Sequence, residues 1–198
     1  MLPAALKNLI DQLSRLPGLG QRSATRLAFY LLNQPQKDLT ALAQAVNEIK
    51  AKTKTCARCF NLTSGAELCA VCSDKKRQPN LICVVEDILD IIPVERTRQF
   101  SGVYHVLGGL ISPVEGLTPD KLHIKELVGR VKHLTGQPVE IILAFNPTTE
   151  GDTTALYLER LLTPLKVKIT KLNRGLSTGS DLEYADETTL INALRFRH

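Results

Sequence analysis

Apolar residues recur at helical spacing three times in the first fifty positions. Leu6, Leu9, Ile10 and Leu13 make one stripe over residues 4–15. Ala24, Leu27, Ala28, Leu31 and Leu32 make a second, which Pro35 stops, and Leu39, Leu42, Ala43, Val46 and Ile49 make a third. Positions three and four apart share one side of an α-helix, so each stripe predicts an amphipathic helix. Residues 50–80 break the pattern: they are basic, hold four cysteines and have too few apolar positions for a core of their own. From Leu81 the signal changes to short apolar runs, LICVVE, GVYHVLGG, VEIILAF and KVKITKL, which read as strands. Helices are expected between them. One starts at Pro93, where the missing N–H costs nothing. One runs from an N-cap at Thr118, with Pro119 first in the helix, to about Leu134. One covers 152–162, with Pro164 beyond its end. KVKITKL alternates in polarity, which places it nearer a sheet edge. This alternation of strand and helix predicts a mostly parallel sheet with helices on its faces. The tail, GLSTGSDLEYADETTLINALRFRH, reads as a loop and a short helix with Asp186 as N-cap, and no internal repeat or low-complexity segment interrupts the chain.

Composition adds little to this picture and excludes some of the alternatives. Of 198 residues, 43% are hydrophobic and 23% charged, as in a soluble globular protein, and the net charge of +5 mildly favours an anionic partner. No apolar run is long enough to span a bilayer, so no membrane role is expected. The first residues carry an early Asp11 and no small-residue cleavage site, so they do not read as a signal peptide. A cytoplasmic location follows as the expectation. Thiols there stay reduced, and clustered cysteines then point to metal rather than to disulfides.

The cysteines are paired as CARC (Cys56, Cys59) and CAVC (Cys69, Cys72). Each pair can grip one tetrahedral ion from a tight turn. Two pairs fill all four positions of one structural Zn²⁺ per chain and leave none for water or substrate. Four unrelated thiols or a redox pair are the alternatives, and two matched spacings in so short a basic stretch disfavour both. With no apolar core around them, the metal itself is expected to hold the segment folded; comparable peptide sites gain about 10–16 kcal/mol. Cys83, inside LICVVE, reads as a small buried hydrophobe.

The stretch LPGLGQRSATRL joins the first two helices. Gly18 and Gly20 let the backbone approach a ligand without a Cβ in the way, and the next helix begins there with unpaired N–H groups. Arg22 and Arg26 fall on one face of that helix, away from its apolar stripe. This is the anatomy of a helix-hairpin-helix, which grips sugar-phosphate and ignores base identity. A plain glycine turn with solvated arginines is the competing reading. No strand precedes the glycines and the third glycine is missing, so it is not a dinucleotide fingerprint; no G-K-[ST] follows, so it is not a P-loop.

Acidic residues lie where a doubly wound sheet usually puts its site. Glu86 and Asp87 close LICVVE; Glu150 and Asp152 follow VEIILAF after the loop NPTT. Such clusters suit Mg²⁺, which prefers oxygen ligands. The arrangement resembles the Toprim fold of topoisomerases and primases, with a glutamate after the first strand and D-x-D after a later one. Here the D-x-D positions read Asn146 and Thr148, both neutral, so Mg²⁺ is left open beside an acidic rim that docks a basic protein or caps helices.

The order of parts resembles the RecR family of bacterial recombination mediators over essentially the whole chain. The resemblance rests on LPGLGQRSATRLAFYLL, CARC…CAVC, LICVVED, YHVLGGLISPVEG, NPTTEGD and RGLSTGSDLEYADETTL. The sequence departs from the family's usual pattern at Ser177 and Ser180 in the loop between Arg174 and Asp181, and at Arg22, where lysine is usual. The resemblance implies an α+β chain of four parts: a helix-hairpin-helix region (1–53), a four-cysteine zinc finger (54–78), a Toprim α/β domain (79–174) and a C-terminal loop and helix (175–198). It implies no enzymatic activity and a ring-like tetramer held by the hairpin region and the C-terminal segment. It also implies that RecO-like and RecF-like partners help it load RecA onto single-stranded or gapped DNA. In that reading Gly18, Gly20, Arg22 and Arg26 contact single- and double-stranded DNA without sequence preference, and the acidic Toprim surface serves for docking. One hairpin neutralises few phosphates, so several copies on a ring are expected to bind through avidity. Leu190, Ile191 and Leu194 form a short apolar face that either exchanges between protomers or folds onto its own sheet. Tyr104, His105 and the Gly108–Gly109 turn read as a strand end and a sharp turn. Two other readings stay open: a Toprim nuclease or primase-like enzyme using Glu86 as general acid or base with Glu150 and Asp152 on Mg²⁺, and a zinc-bearing interaction module without nucleic acid.

Overall fold

The computed structural model describes residues 2–134, 136–173, 175, 176, 179 and 181–195. The family departures at Ser177 and Ser180, and Arg174 at the head of that loop, lie outside the described residues. The chain divides into two compact units, residues 1–53 and 54–198.

The first unit holds three helices, α1 (Ala4–Ser14), α2 (Gln21–Leu32) and α3 (Gln36–Lys52). Leu6 and Ile10 of α1 close against Ala24 and Ala28 of α2, with Leu9 and Leu13 alongside. Alanines at these positions bring the two helices near enough for the α1 side chains to fill the space between them. The face actually used by α2 is therefore narrower than its apolar stripe: Leu32 is 63% exposed, and Leu27 is also exposed. Helix α3 buries none of its residues, although Asp38 in its first turn and Lys50 and Lys52 in its last suit its dipole.

The second unit opens with a small antiparallel pair, β1 (Lys54–Thr55) and β2 (Leu62–Thr63), and a one-turn helix α4 (Ala70–Ser73). Four parallel strands follow: β3 (Leu81–Val85), β4 (Val103–Val106), β5 (Glu140–Ala144) and β6 (Lys168–Lys171), in the spatial order β4-β3-β5-β6. The connecting helices are α5 (Ile91–Arg96), α6 (Ile124–His133) and α7 (Thr149–Leu162), and α8 (Glu187–Arg195) lies beyond the sheet in sequence. Side chains alternate across β3. Ile82 and Val84 join Ile141 and Leu143 of β5, Leu127 and Val131 of α6, and Leu158 and Leu162 of α7. Cys83 and Val85 join Tyr104 and Val106 of β4 and Ile91 of α5. Both faces of β3 are covered, which is why LICVV is apolar throughout. KVKITKL forms an edge strand, as its alternation predicts.

Three helix starts differ from expectation. The helix placed at Pro93 begins at Ile91, after a 3₁₀ turn over Ile88–Asp90, so Pro93 is its third residue and still among the amides without an intrahelical acceptor. The helix expected from Thr118 is only a 3₁₀ turn over Pro119–Lys121; α6 starts at Ile124. The reason is Leu122, which takes an extended backbone (φ −101°, ψ 154°) and turns into the core. Helix α7 starts earlier than residue 152, at Thr149, because the Thr148 hydroxyl caps it by accepting from the Gly151 N–H (3.1 Å). Asp186 caps α8 as expected, accepting from Thr189 N (2.9 Å).

Candidate zinc centre and nucleic-acid interface

The four cysteines meet. Cys56, Cys59, Cys69 and Cys72 are all buried, with their sulfur atoms within 4.8 Å of one another and no disulfide between them. Cys59 Sγ and Cys69 Sγ lie 3.5 Å apart. A tetrahedral Zn²⁺ with Zn–S bonds of ~2.3 Å needs sulfurs about 3.8 Å apart, so the cage fits the ion. Backbone amides already donate to sulfur: Cys69 N to Cys56 Sγ (3.3 Å) and Cys72 N to Cys69 Sγ (3.4 Å). Such donors favour thiolate over thiol. Without metal the sulfurs compete for protons. Hydrogen bonding from Cys59 brings the Cys72 thiol down to about 6, whereas the same bond and burial push Cys59 up and burial raises Cys69. Four converging buried sulfurs, two of them already accepting from backbone amides, make a ready cation trap.

The turn that carries Cys59 is fastened to the sheet. Phe60 sits in the left-handed region (φ 65°), closed by its N–H on Cys56 O (3.1 Å). Its ring stacks on His123 (centroids 3.7 Å, planes 5° apart) and meets His105 edge-on at 5.4 Å. His105, read from sequence as part of a strand end, is fully buried and donates from Nε2 to His123 O (2.8 Å). Burial lowers its pKa to about 4 and keeps the ring neutral. The Gly108–Gly109 turn, with both φ values positive, wraps the backbone oxygen of Glu86, which accepts from both glycine amides (3.0 and 3.2 Å).

In the first unit the glycine corner is open. Gly18 takes φ +79°, where a Cβ is strained, and Gly20 is the N-cap of α2 without any side-chain acceptor for the first amides. Arg22 and Arg26 are exposed, and among the described residues neither pairs with a carboxylate. Beside them, Leu19, Ser23, Arg26, Leu27 and Tyr30 line a shallow cavity of about 530 Å³. Ser23 and Tyr30 escaped the sequence reading; the i, i+4 relation of Arg26 to an exposed aromatic was the signal available.

The acidic residues are not gathered into one cluster. Among the described residues, the cysteine quartet is the only set of three or more Cys, His, Asp or Glu placed to hold a metal. Glu86 accepts a hydrogen bond from the Asn146 side chain, and its pKa is raised by burial first and then by Asp90 and Asp87. Asp87 caps the following 3₁₀ turn, accepting from Leu89 N (2.9 Å), while Asp90 accepts from Asp87 N (2.9 Å). Glu150 and Asp152 lie in the first turn of α7, where carboxylates suit the positive end of the helix. Asn146 and Thr148, at the expected D-x-D positions, are used as a hydrogen-bond partner and a cap.

Comparison with known proteins agrees with this layout. Family models for the RecR helix-hairpin-helix, the RecR four-cysteine zinc finger domain, the Toprim domain and the RecR C-terminal part match residues 6–50, 53–74, 80–173 and 175–198. The chain is 49% identical over 197 residues to the recombination protein RecR of Frankia casuarinae, covering 100% of this chain and 98% of that one. It is 50% identical to the same protein of Cutibacterium acnes, covering 96% of it, and 48% identical to that of Streptomyces coelicolor, covering 98%.

Proposed function

The chain belongs to the RecR family of recombination proteins, and from that premise we propose that it is a DNA-binding mediator of recombination and repair without catalytic activity of its own. The observation that carries the reading is the open corner at Gly18–Gly20, with uncapped helix amides and two exposed arginines that, among the described residues, no carboxylate neutralises. Such a corner can take phosphates through backbone N–H groups and guanidinium forks and leaves base edges unread. In this reading Gly18, Gly20, Arg22 and Arg26 contact single- and double-stranded DNA, and the zinc finger is a rigid structural part. Several copies in a ring-like tetramer supply the avidity that two arginines lack. RecO-like and RecF-like proteins dock on the Toprim face, and the assembly helps RecA load onto single-stranded or gapped DNA. The use of Asp87 as a cap, of Glu150 and Asp152 at a helix start and of Glu86 as an acceptor from Asn146 supports a docking surface over a Mg²⁺ centre. The test is DNA binding by R22A and R26A. Both are expected to weaken binding to unrelated DNA sequences alike. Unchanged affinity at every salt concentration contradicts the hairpin assignment. Mg²⁺-dependent cleavage of labelled DNA that disappears in E86Q would instead favour an enzyme.

A further inference from the structure

A Zn²⁺ held by four thiolates carries a net charge of about −2, and burying it without compensation is costly. The compensation is visible around the cage. Arg58 donates from its guanidinium to Cys72 O (3.3 Å). Arg130, from α6, reaches the outer edge of β4 and donates to Tyr104 O (2.7 Å). On that same edge, Val106 N–H donates to Cys59 O (2.9 Å) and Val106 O accepts from His123 Nδ1 (3.0 Å). Arg130, Arg58, Ala57 and Phe60 line one cavity of about 490 Å³ between the cysteine turn and α6; Glu126, one turn before Arg130, lines it too, but among the described residues it pairs with neither arginine.

Arg130 needs an explanation. It is partly buried, it donates to a neutral carbonyl, and among the described residues no carboxylate pairs with it. A guanidinium even partly withdrawn from water onto a neutral acceptor is unfavourable. The C-terminal dipole of α6 does not require it, because Lys132 and His133 lie in the same last turn. The cysteine segment adjoins it on two sides: Arg58, on the same cavity, donates to Cys72 O, and Val106, on the same strand edge as Tyr104, donates to Cys59 O.

We propose that Arg130, assisted by Arg58, is the counter-charge of the zinc tetrathiolate, a positioning residue that raises metal affinity while tying the cage to the free edge of the sheet. The inference rests on the zinc reading. Groups in the outer shell of a metal site typically change its affinity by about 10–100-fold when removed. Arg130 is the more enclosed of the two arginines and should carry the larger share.

The test uses the full chain loaded with zinc, in competition with a chromogenic chelator, together with the thiolate-to-metal absorption of the Co²⁺ form. R130M is expected to hold zinc roughly 10–100-fold more weakly, and R130K to recover most of that loss. R58M is expected to lose less, with a loss that shrinks as salt rises, because Arg58 is exposed and screened. Wild-type affinity in R130M, or R130K as weak as R130M, overturns the proposal. Should R130M fail to fold, R58M decides: unchanged affinity overturns it and a salt-sensitive loss supports it. Elemental analysis keeps the two failures apart. A parent chain without stoichiometric zinc ends the zinc reading, whereas a zinc-loaded parent with indifferent arginine variants ends only this proposal.

Discussion

Replacing Glu95 with glutamine should destabilise the second unit by an amount that can be worked out in advance. Arg77 lies just after the cysteine segment and anchors it to α5 and β4. Its guanidinium is bidentate on Glu95 (2.6 and 2.9 Å) and also donates to Phe100 O (3.0 Å) and Gly102 O (3.2 Å). Tyr104 donates its hydroxyl to Glu95 Oε1 (2.7 Å). Glutamine keeps the shape but removes the charge and turns an amide N–H₂ toward a donor. Hydrogen bonds to charged groups contribute about 1.5–3 kcal/mol, and breaking a fully enclosed pair costs about 3–5. The Arg77 side chain is 18% exposed and that of Glu95 32%, so the lower range applies. A loss of about 2 kcal/mol, at about 2–4 °C per kcal/mol for a chain of this size, is about 4–8 °C in Tm. The sign with pH follows from Arg77, which holds the Glu95 carboxyl below its ordinary range. Its stabilisation is complete above the unfolded-state value, near ~4.3, and is lost as pH falls through the lowered folded value. Calorimetry of parent and E95Q, compared at each pH so that metal loss cancels, should show a gap that is constant above pH ~5 and closes below ~4. Equal Tm at neutral pH, or a gap that persists unchanged in strong acid, refutes the reasoning.

Glu86 should behave in the opposite way. Burial, then Asp90 and Asp87, raise its pKa, so the folded chain holds its proton more tightly than the unfolded chain does. Its carboxylate therefore weakens the fold at neutral pH. E86Q should raise Tm at pH 7, with the gain vanishing as pH falls below the unfolded-state value of ~4.3; no gain at pH 7 contradicts this. G151A should cost about 1–3 kcal/mol in urea unfolding, since an added Cβ overlaps the Asn146 carbonyl oxygen. G129A in α6, where nothing lies near the added carbon, should instead be neutral or stabilise by up to about 1 kcal/mol.

What the sequence revealed was mostly what is decided locally. The spacing of Cys56, Cys59, Cys69 and Cys72 is itself the geometry of a tetrahedral site, so the cage was legible without any fold. The β-rich runs were legible because LICVV is covered on both sides and has no reason to alternate. Helix starts failed where tertiary packing overruled a local signal. Thr118-Pro119 reads as a good cap, but burying Leu122 breaks the helix and restarts it at Ile124. The acidic residues were ambiguous because one carboxylate can chelate or cap, and Asp87 caps. The α2 stripe was over-read because two alanines suffice for close packing against α1. Arg130 was invisible because its acceptor, Tyr104 O, is 26 residues away in sequence.

In the proposed function the glycine corner and its two arginines meet the DNA backbone, and that contact governs the rest. It is tested most directly by the salt dependence of DNA binding, measured on one duplex and one single strand for the parent chain and for the R22A/R26A double variant. Each phosphate contact contributes about 0.9 to the slope of log affinity against log salt on duplex and about 0.7 on single strands. The double variant is expected to lose roughly 2 units of slope on duplex for each engaged hairpin, with weaker binding on both substrates. Parallel lines of equal slope and equal height contradict it.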